Sequence, residues 1–243
     1  NEHEIQCNWL IDTNSDVVQC LSCRLTRTIP MLDHGNNLQR WATMESSKRR
    51  MVYGLLEMGL SVTSYTHDPD NGLAFDFLED NRSNDLLSEE YVYSGHADGV
   101  ITMNVAEADS SYREAAREAL NESFRSLLGH FRHEIGHYYW DKLILNTSFY
   151  QPFQALFGDE QQDYAVALDN YYTHGPIEGW DQNYISAYAS MHPLEDWAET
   201  WAHYMLMRET IETAFNLQIL PTLTAFSSFD TWMDEWMQLV IVL

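Results

Sequence analysis

His133-Glu134-Ile135-Gly136-His137 constrains this chain more than any other stretch. Two histidines four apart on a helix share one face, one turn above each other, so two imidazole nitrogens can converge on one metal ion. A glutamate directly after the first histidine then lies beside that ion, placed to take a proton from a water. The HExxH spacing is a signature of zinc-assisted hydrolysis. Phe131 before it, and Tyr138, Tyr139 and Trp140 after it, continue an apolar, helix-compatible run. Such a helix is expected to cross a domain core. The competing reading is a buried helix whose histidines are hydrogen-bonded core residues.

A catalytic zinc takes three protein ligands and leaves a fourth position to water. The third ligand is sought in His192-Pro193-Leu194-Glu195-Asp196-Trp197-Ala198-Glu199-Thr200-Trp201-Ala202-His203-Tyr204. On a helix, Glu195, Glu199 and His203 share a face, while Trp197, Trp201 and Tyr204 occupy the other sides. A polar stripe of this kind is ordinarily a solvated face, but this one is set among tryptophans. Glu195 is the first choice as ligand and Glu199 the second. If Glu195 binds the metal, Glu199 is one turn on, placed to accept an N–H from a ligating imidazole. His203 is then either a transition-state donor or a structural histidine.

The formal net charge is −24. An acidic surface repels nucleic acid and anionic membrane, so neither is an expected partner. It is compatible with a basic substrate, but the preferred reading is a solvated surface that keeps the chain soluble. No apolar run approaches the roughly 20 residues that span a bilayer. With 8 Trp, 14 Tyr and 10 Phe in 243 residues, the chain can bury one large core.

Cys7, Cys20 and Cys23 all lie near the start, the last two as Cys-x-x-Cys. That spacing suits a metal knuckle better than a disulfide framework. A four-ligand knuckle needs one more donor: a cysteine upstream of Asn1, or His3. The remaining reading is three free thiols. Each points to a reducing, cytoplasmic setting.

Along the chain, Trp41, Met44, Met51, Leu55 and Met58 mark an amphipathic helix from Leu38 to Leu60, closed by Gly59. The Asp98-Gly99 turn signal precedes the clearest strand, Val100 to Val105. That strand is read either as a sheet edge on which an extended peptide pairs or as an ordinary core strand. Ser110 or Ser111 is expected to cap a helix over Glu114 to Leu128, with Gly129 as a joint before the motif helix. Asn146 to Gly158, containing Pro152, reads as loop, and Asp159 to Tyr172 as a helix ended by Thr173-His174-Gly175-Pro176. Pro193 suits the first position of a helix running to Met207. The chain ends in an apolar helix from Trp232 to Leu243, which reads as cut short.

Taken together these blocks resemble a family. Cys7-Asn8-Trp9-Leu10, Ser22 to Pro30, Gly72 to Leu78, His133 to Trp140 and Glu195 to Tyr204 are similar to bacterial zinc-binding metallopeptidases that carry an N-terminal zinc ribbon. More distantly, Glu195-Asp196-Trp197-Ala198-Glu199 resembles the E-x-x-A-E helix of gluzincins, which implies that Glu195 binds zinc and Glu199 lies behind it. The ribbon begins late and the chain stops early relative to that family.

The resemblance implies residues 1–30 as a partial zinc-ribbon-like segment and residues 31–243 as a zincin-like catalytic domain. The expected fold is α+β and mostly helical, with a small, mainly antiparallel sheet beside the motif helix. The expected activity is zinc-dependent hydrolysis of peptide or protein substrates, with Glu134 as general base and His133, His137 and Glu195 holding the metal. A second, structural zinc is expected if the ribbon is complete. His203 and Tyr204, or Tyr172 and His174, are candidate donors to the tetrahedral oxyanion. Two other classes share these residues: a zinc amide hydrolase or deacylase of a non-peptide substrate, and a non-catalytic binding module with a vestigial zinc site.

Overall fold

The computed structural model describes residues 2–11, 17–84, 87, 91–114, 126–220 and 228–242. Two short helices, α1 (Glu2–Ile5) and α2 (Leu21–Arg24), lead into strand β1 (Thr26–Thr28) and the long helix α3 (Asn37–Glu57). As the spacing predicts, α3 turns Trp41, Met44, Met51 and Leu55 inward. It ends where Gly59 takes φ +72°, a left-handed conformation that a side chain disfavours.

The sheet follows: β2 (Ala74–Leu78), β3 (Gly95–Ala97) and β4 (Val100–Asn104), in the order β1-β2-β4-β3. β1 pairs with β2 in parallel, and so does β2 with β4 from Ala74↔Val100 to Leu78↔Asn104. Among the described residues only β3 and β4 pair antiparallel. The α+β class holds, but the sheet is mixed and mostly parallel, which corrects the antiparallel expectation. Period-2 patterning marks a strand without naming its partner. Here α3 carries the chain from β1 to the parallel β2, as a parallel pair requires.

The β3–β4 connection is the two-residue Asp98-Gly99 turn, with φ of +49° and +79°. Positive φ at both positions is the type I′ signature that matches strand twist. A Cβ on Gly99 would also meet the Gly72 carbonyl oxygen at 2.3 Å. β4 is interior to the sheet, so it is not the peptide-pairing edge; β3 is the edge on that side.

After the 3-10 turn Val105–Ala108 come α4 (Leu127–Leu143), α5 (Tyr150–Phe157), α6 (Tyr164–His174), α7 (Pro193–Asn216) and α8 (Phe229–Val242). The helix expected over Glu114 to Leu128 falls largely outside the described residues. Gly129 is no joint: Ser126 caps α4, its Oγ accepting from Gly129 N at 2.9 Å, so the glycine lies in the first turn. Asn146 to Gly158 is not a loop throughout. Pro152 sits in the first turn of α5, where its missing N–H is not needed. α6 starts at Tyr164 rather than Asp159, capped by Asp163, whose Oδ1 accepts from Val166 N at 3.1 Å. α7 begins at Pro193 as expected and runs nine residues past Met207 to Asn216.

One main core lies between α3, the sheet and α4. Phe131 of α4 packs on Phe75 and Phe77 of β2, with ring centroids 5.8 and 6.1 Å away. Ile5 and Leu25 of the N-terminal segment belong to the same core. Among the described residues no helix is long and apolar enough to cross a membrane.

A charge lies inside this core. Lys48 of α3 is fully buried, its Nζ 2.9 Å from Glu45 Oε2, in contact with Thr26 Oγ1 and 5.6 Å from the centroids of Phe75 and Phe77. Removing one partner of such a pair strands the other charge. Lys48→Met should therefore destabilise the fold by about 3–5 kcal/mol. The double variant Lys48→Met, Glu45→Leu should recover most of that loss. Urea denaturation followed by circular dichroism measures both; equal destabilisation of single and double variants would refute the account.

Candidate metal centre

α4 and α7 bring the motif residues together. Their crossing is set by Gly136: a Cβ there would meet Ala198 Cα at 3.1 Å and Trp201 Cβ at 3.2 Å. Trp197 Nε1 donates to the Gly136 carbonyl at 2.8 Å. Trp201 stacks on Tyr139, the ring centroids 5.2 Å apart. The tryptophans that flank the glutamate face thus serve to dock α7 on α4.

With the helices so close, His133, His137 and Glu195 each present a donor atom within 4.8 Å of the others. His133 Nε2 lies 3.2 Å from His137 Nε2 and 3.0 Å from Glu195 Oε2. His137 Nε2 lies 3.5 Å from Glu195 Oε1. Glu195 is in the first turn of α7, after the His192 cap and Pro193, where the helix dipole favours a carboxylate. Tyr164 of α6 donates its hydroxyl to Glu195 Oε1 at 3.0 Å.

The donor set fits a divalent cation. Glu195 Oε2 is a buried carboxylate oxygen that no well-aligned hydrogen bond reaches. Two imidazole nitrogens face it at close range, the N2O set that zinc takes. Burial would raise the Glu195 carboxyl, but the close His133 and His137 rings outweigh it and hold it well below the carboxylate range. Burial likewise opposes a charged His133, yet Glu195 and Glu199 hold its proton well above the usual histidine range. A metal binds in exchange for such a proton.

Glu199 is not among the three converging donors. Its Oε1 lies 2.6 Å from His133 Nδ1, and its Oε2 accepts from Ser186 Oγ at 2.7 Å. A carboxylate on Nδ1 leaves Nε2 as the nitrogen that faces His137 and Glu195. His203, one turn further, donates from Nδ1 to the Glu199 carbonyl at 2.8 Å, since a carbonyl only accepts. His203 and Tyr172 line the cleft around the centre. Tyr204 packs on Trp232 instead, and His174 is exposed with its Nδ1 at the Asn170 carbonyl.

Glu134 is buried beside the three donors. Its Oε1 lies 3.0 Å from His130 Nε2, and His130 Nδ1 lies 2.5 Å from Glu107 Oε2. Burial would lower His130, but Glu107 and Glu134 on its two sides hold it up at about 9. Burial would raise Glu134, but His130 and the two other histidines bring it down to about 2. The cleft is about 1030 Å³ and open to solvent; Tyr188 lies on it with its ring 6.1 Å from His133.

His130, Glu107, Tyr164, Ser186 and Tyr188 were not anticipated. Only His130 had a signal, its i, i+4 relation to Glu134, hidden by the reading of Gly129 as a joint.

Cys7, Cys20 and Cys23 form a second donor group, with sulfurs 3.7 and 3.8 Å apart and no disulfide. His3 is not part of it. Cys20 caps α2, its Sγ accepting from Cys23 N at 3.4 Å. Hydrogen bonding from Cys23 brings Cys20 down to about 5, and the same contact with burial pushes Cys23 up.

Two donor-bearing helices beside a small sheet are the architecture of an α+β metallopeptidase domain. A family model described as "putative zinc-binding metallo-peptidase" matches residues 37–243, and a zinc-ribbon domain model matches residues 1–34. The chain belongs to that zinc-binding metallo-peptidase family. Its curated relatives include uncharacterized proteins of Mycobacterium tuberculosis and Mycobacterium bovis, each 42% identical over 247 residues, covering 98% of this chain and 70% of the relative. No solved structure matches significantly. Zn2+ is the cofactor that the family and both donor groups call for.

Gly136→Val should test the helix crossing. The added isopropyl group has no room against Ala198 and Trp201 and should cost about 1–3 kcal/mol. By pushing Glu195 away from the histidines the change should also weaken zinc binding. Thermal melting and zinc titration check this; unchanged affinity would show that the crossing does not set the donor geometry.

Proposed function

We propose that this chain is a zinc-dependent peptidase, with His133, His137 and Glu195 holding the ion and Glu134 acting as general base. One observation carries the reading: the three donors converge in an open cleft with a buried carboxylate, Glu134, alongside them. When bound, zinc supplies a Lewis acid that polarises the scissile carbonyl and activates water. Glu134 takes the proton at its carboxylate and later passes it to the leaving amine. Glu199 orients His133 through Nδ1, and Tyr164 steadies Glu195. His203 lines the cleft as the proposed donor to the oxyanion.

Substrates in this reading are peptides or proteins. Residues 1–30 form the ribbon-like segment and 31–243 the catalytic domain. Three cysteines gathered as a metal knuckle fit a reducing compartment, the cytoplasm.

Glu134→Gln keeps the shape but removes the base, so zinc should stay bound while turnover of a peptide library falls by about 10² or more. Glu195→Gln should lose the metal, whereas Glu199→Gln should cost about 10–100-fold in metal affinity or activity. Bound zinc is read by native mass spectrometry. Normal turnover by Glu134→Gln would sink the mechanism. Metal loss confined to Glu199→Gln would exchange the roles of the two glutamates, and turnover of acylated amines without peptide cleavage would move the substrate outside peptides.

A further inference from the structure

We infer that His130 is a positioning residue, clamping Glu134 to the sheet through Glu107. The inference rests on the proposed role of Glu134 as base and deepens it.

The clamp is a chain of contacts that starts at the β3 edge. Ser94 Oγ donates to Glu107 Oε1, and Ser94 Oγ itself accepts from Asn104 N at 3.0 Å. Glu107 sits on the 3-10 turn that follows β4. Its other oxygen, Oε2, faces His130 Nδ1 at 2.5 Å, and His130 Nε2 faces Glu134 Oε1 at 3.0 Å. A carboxylate oxygen only accepts, so a ring held between two carboxylates donates from both nitrogens. Charge-assisted bonds of this kind are short and directional. The side chains of Glu107, His130 and Glu134 are 10, 13 and 6% exposed, so water competes little for either contact.

Two features make this more than a staple between α4 and the sheet. His130 lies one turn before Glu134 on the same face of α4, so its contact fixes the torsions of the base and not only the helix. And His130 lines the cleft together with Glu107 and Glu134, on the side where a substrate would lie. A glutamate has three rotatable bonds, and a base that must meet a proton at hydrogen-bond distance loses rate when they are released.

The test uses the full chain loaded with zinc. His130→Ala should lower kcat about ten- to hundredfold, with KM and zinc content unchanged. Added imidazole should restore part of kcat, because it can refill the space between two carboxylates that remain in place. Glu107→Ala should lower kcat by a similar factor, without imidazole rescue. A structural staple would instead lower the melting temperature and zinc content together with activity, and imidazole would not help; that result overturns the inference, as does unchanged kcat. A second readout needs no turnover: the 1H–15N spectrum of His130 in the metal-free full chain should show two ring N–H groups, one lost in Glu107→Ala. A ring with one N–H overturns the clamp. Absence of any peptide cleavage by the wild-type chain would overturn the peptidase reading alone, and the spectrum would then decide the clamp by itself.

Discussion

The close crossing of α4 and α7 at Gly136 is the constraint on which the centre depends. Within α4 the helical repeat alone sets His133 above His137, and within α7 it sets Glu195 one turn before Glu199. What neither helix can set is the distance between them. A bare Cα at position 136, the Trp197 indole bonded to its carbonyl, and the Trp201 ring laid on Tyr139 fix that distance. Once it is fixed, the remaining contacts follow as a rigid body: Glu195 reaches the two Nε2 atoms and Glu199 reaches the Nδ1 behind them. Ile135 and Gly136, the unspecified pair inside the motif, therefore have distinct work. Ile135 anchors α4 in the core and Gly136 admits α7.

The donor residues were legible because each lies on a helix, where a spacing of four translates directly into a shared face. The same holds for α3 and for the Asp98-Gly99 hairpin turn, whose chemistry is local. The sheet was not legible, because its topology depends on β1, three residues of Thr-Arg-Thr inside a cysteine-bearing segment with no apolar alternation. With β1 unseen, the parallel crossover through α3 was invisible and a small antiparallel sheet was expected. Pro152 misled in a different way: a proline stops a helix from its interior but is tolerated in its first turn. The partners of the centre that come from loops and turns, Glu107, Ser186 and Tyr188, have no periodic relation to the motif and are found only once the chain is folded.

The centre gathers more charge than a protein interior tolerates unpaired. Glu134, Glu195 and Glu199 face His130, His133 and His137, each carboxylate with an imidazole within 3.0 Å. Pairing is what makes the burial tolerable. It also divides the work. The His130 pair is closed on both sides by carboxylates, whereas the His133–His137–Glu195 group holds two nitrogens and a poorly satisfied oxygen facing one another. That contrast separates a set of groups already neutralised among themselves from a set with room for a cation. Metal binding to the folded form alone then stabilises the fold by mass action, as for any ligand that the unfolded chain does not bind.

Similar reasoning accounts for the buried lysine on the far side of the core. Lys48 is desolvated, which lowers its proton affinity, and Glu45, Cys23 and Cys20 oppose that in turn. Its ammonium thus lies in the negative field of both a carboxylate and the thiol group. A metal knuckle needs its sulfurs as thiolates, and a fixed cation nearby favours the ionised form. Glu45 works the other way, adding to the Cys20 contact and the burial that push the Cys23 thiol up. The pair Lys48–Glu45 therefore does not act on the cysteines as a bare charge; it is two opposite charges 2.9 Å apart, the ammonium 5.6 Å from the Phe75 and Phe77 centroids. Because those two rings also carry Phe131 of α4, the thiol group and the histidine centre share one packed core. A loss of packing at β2 reaches both.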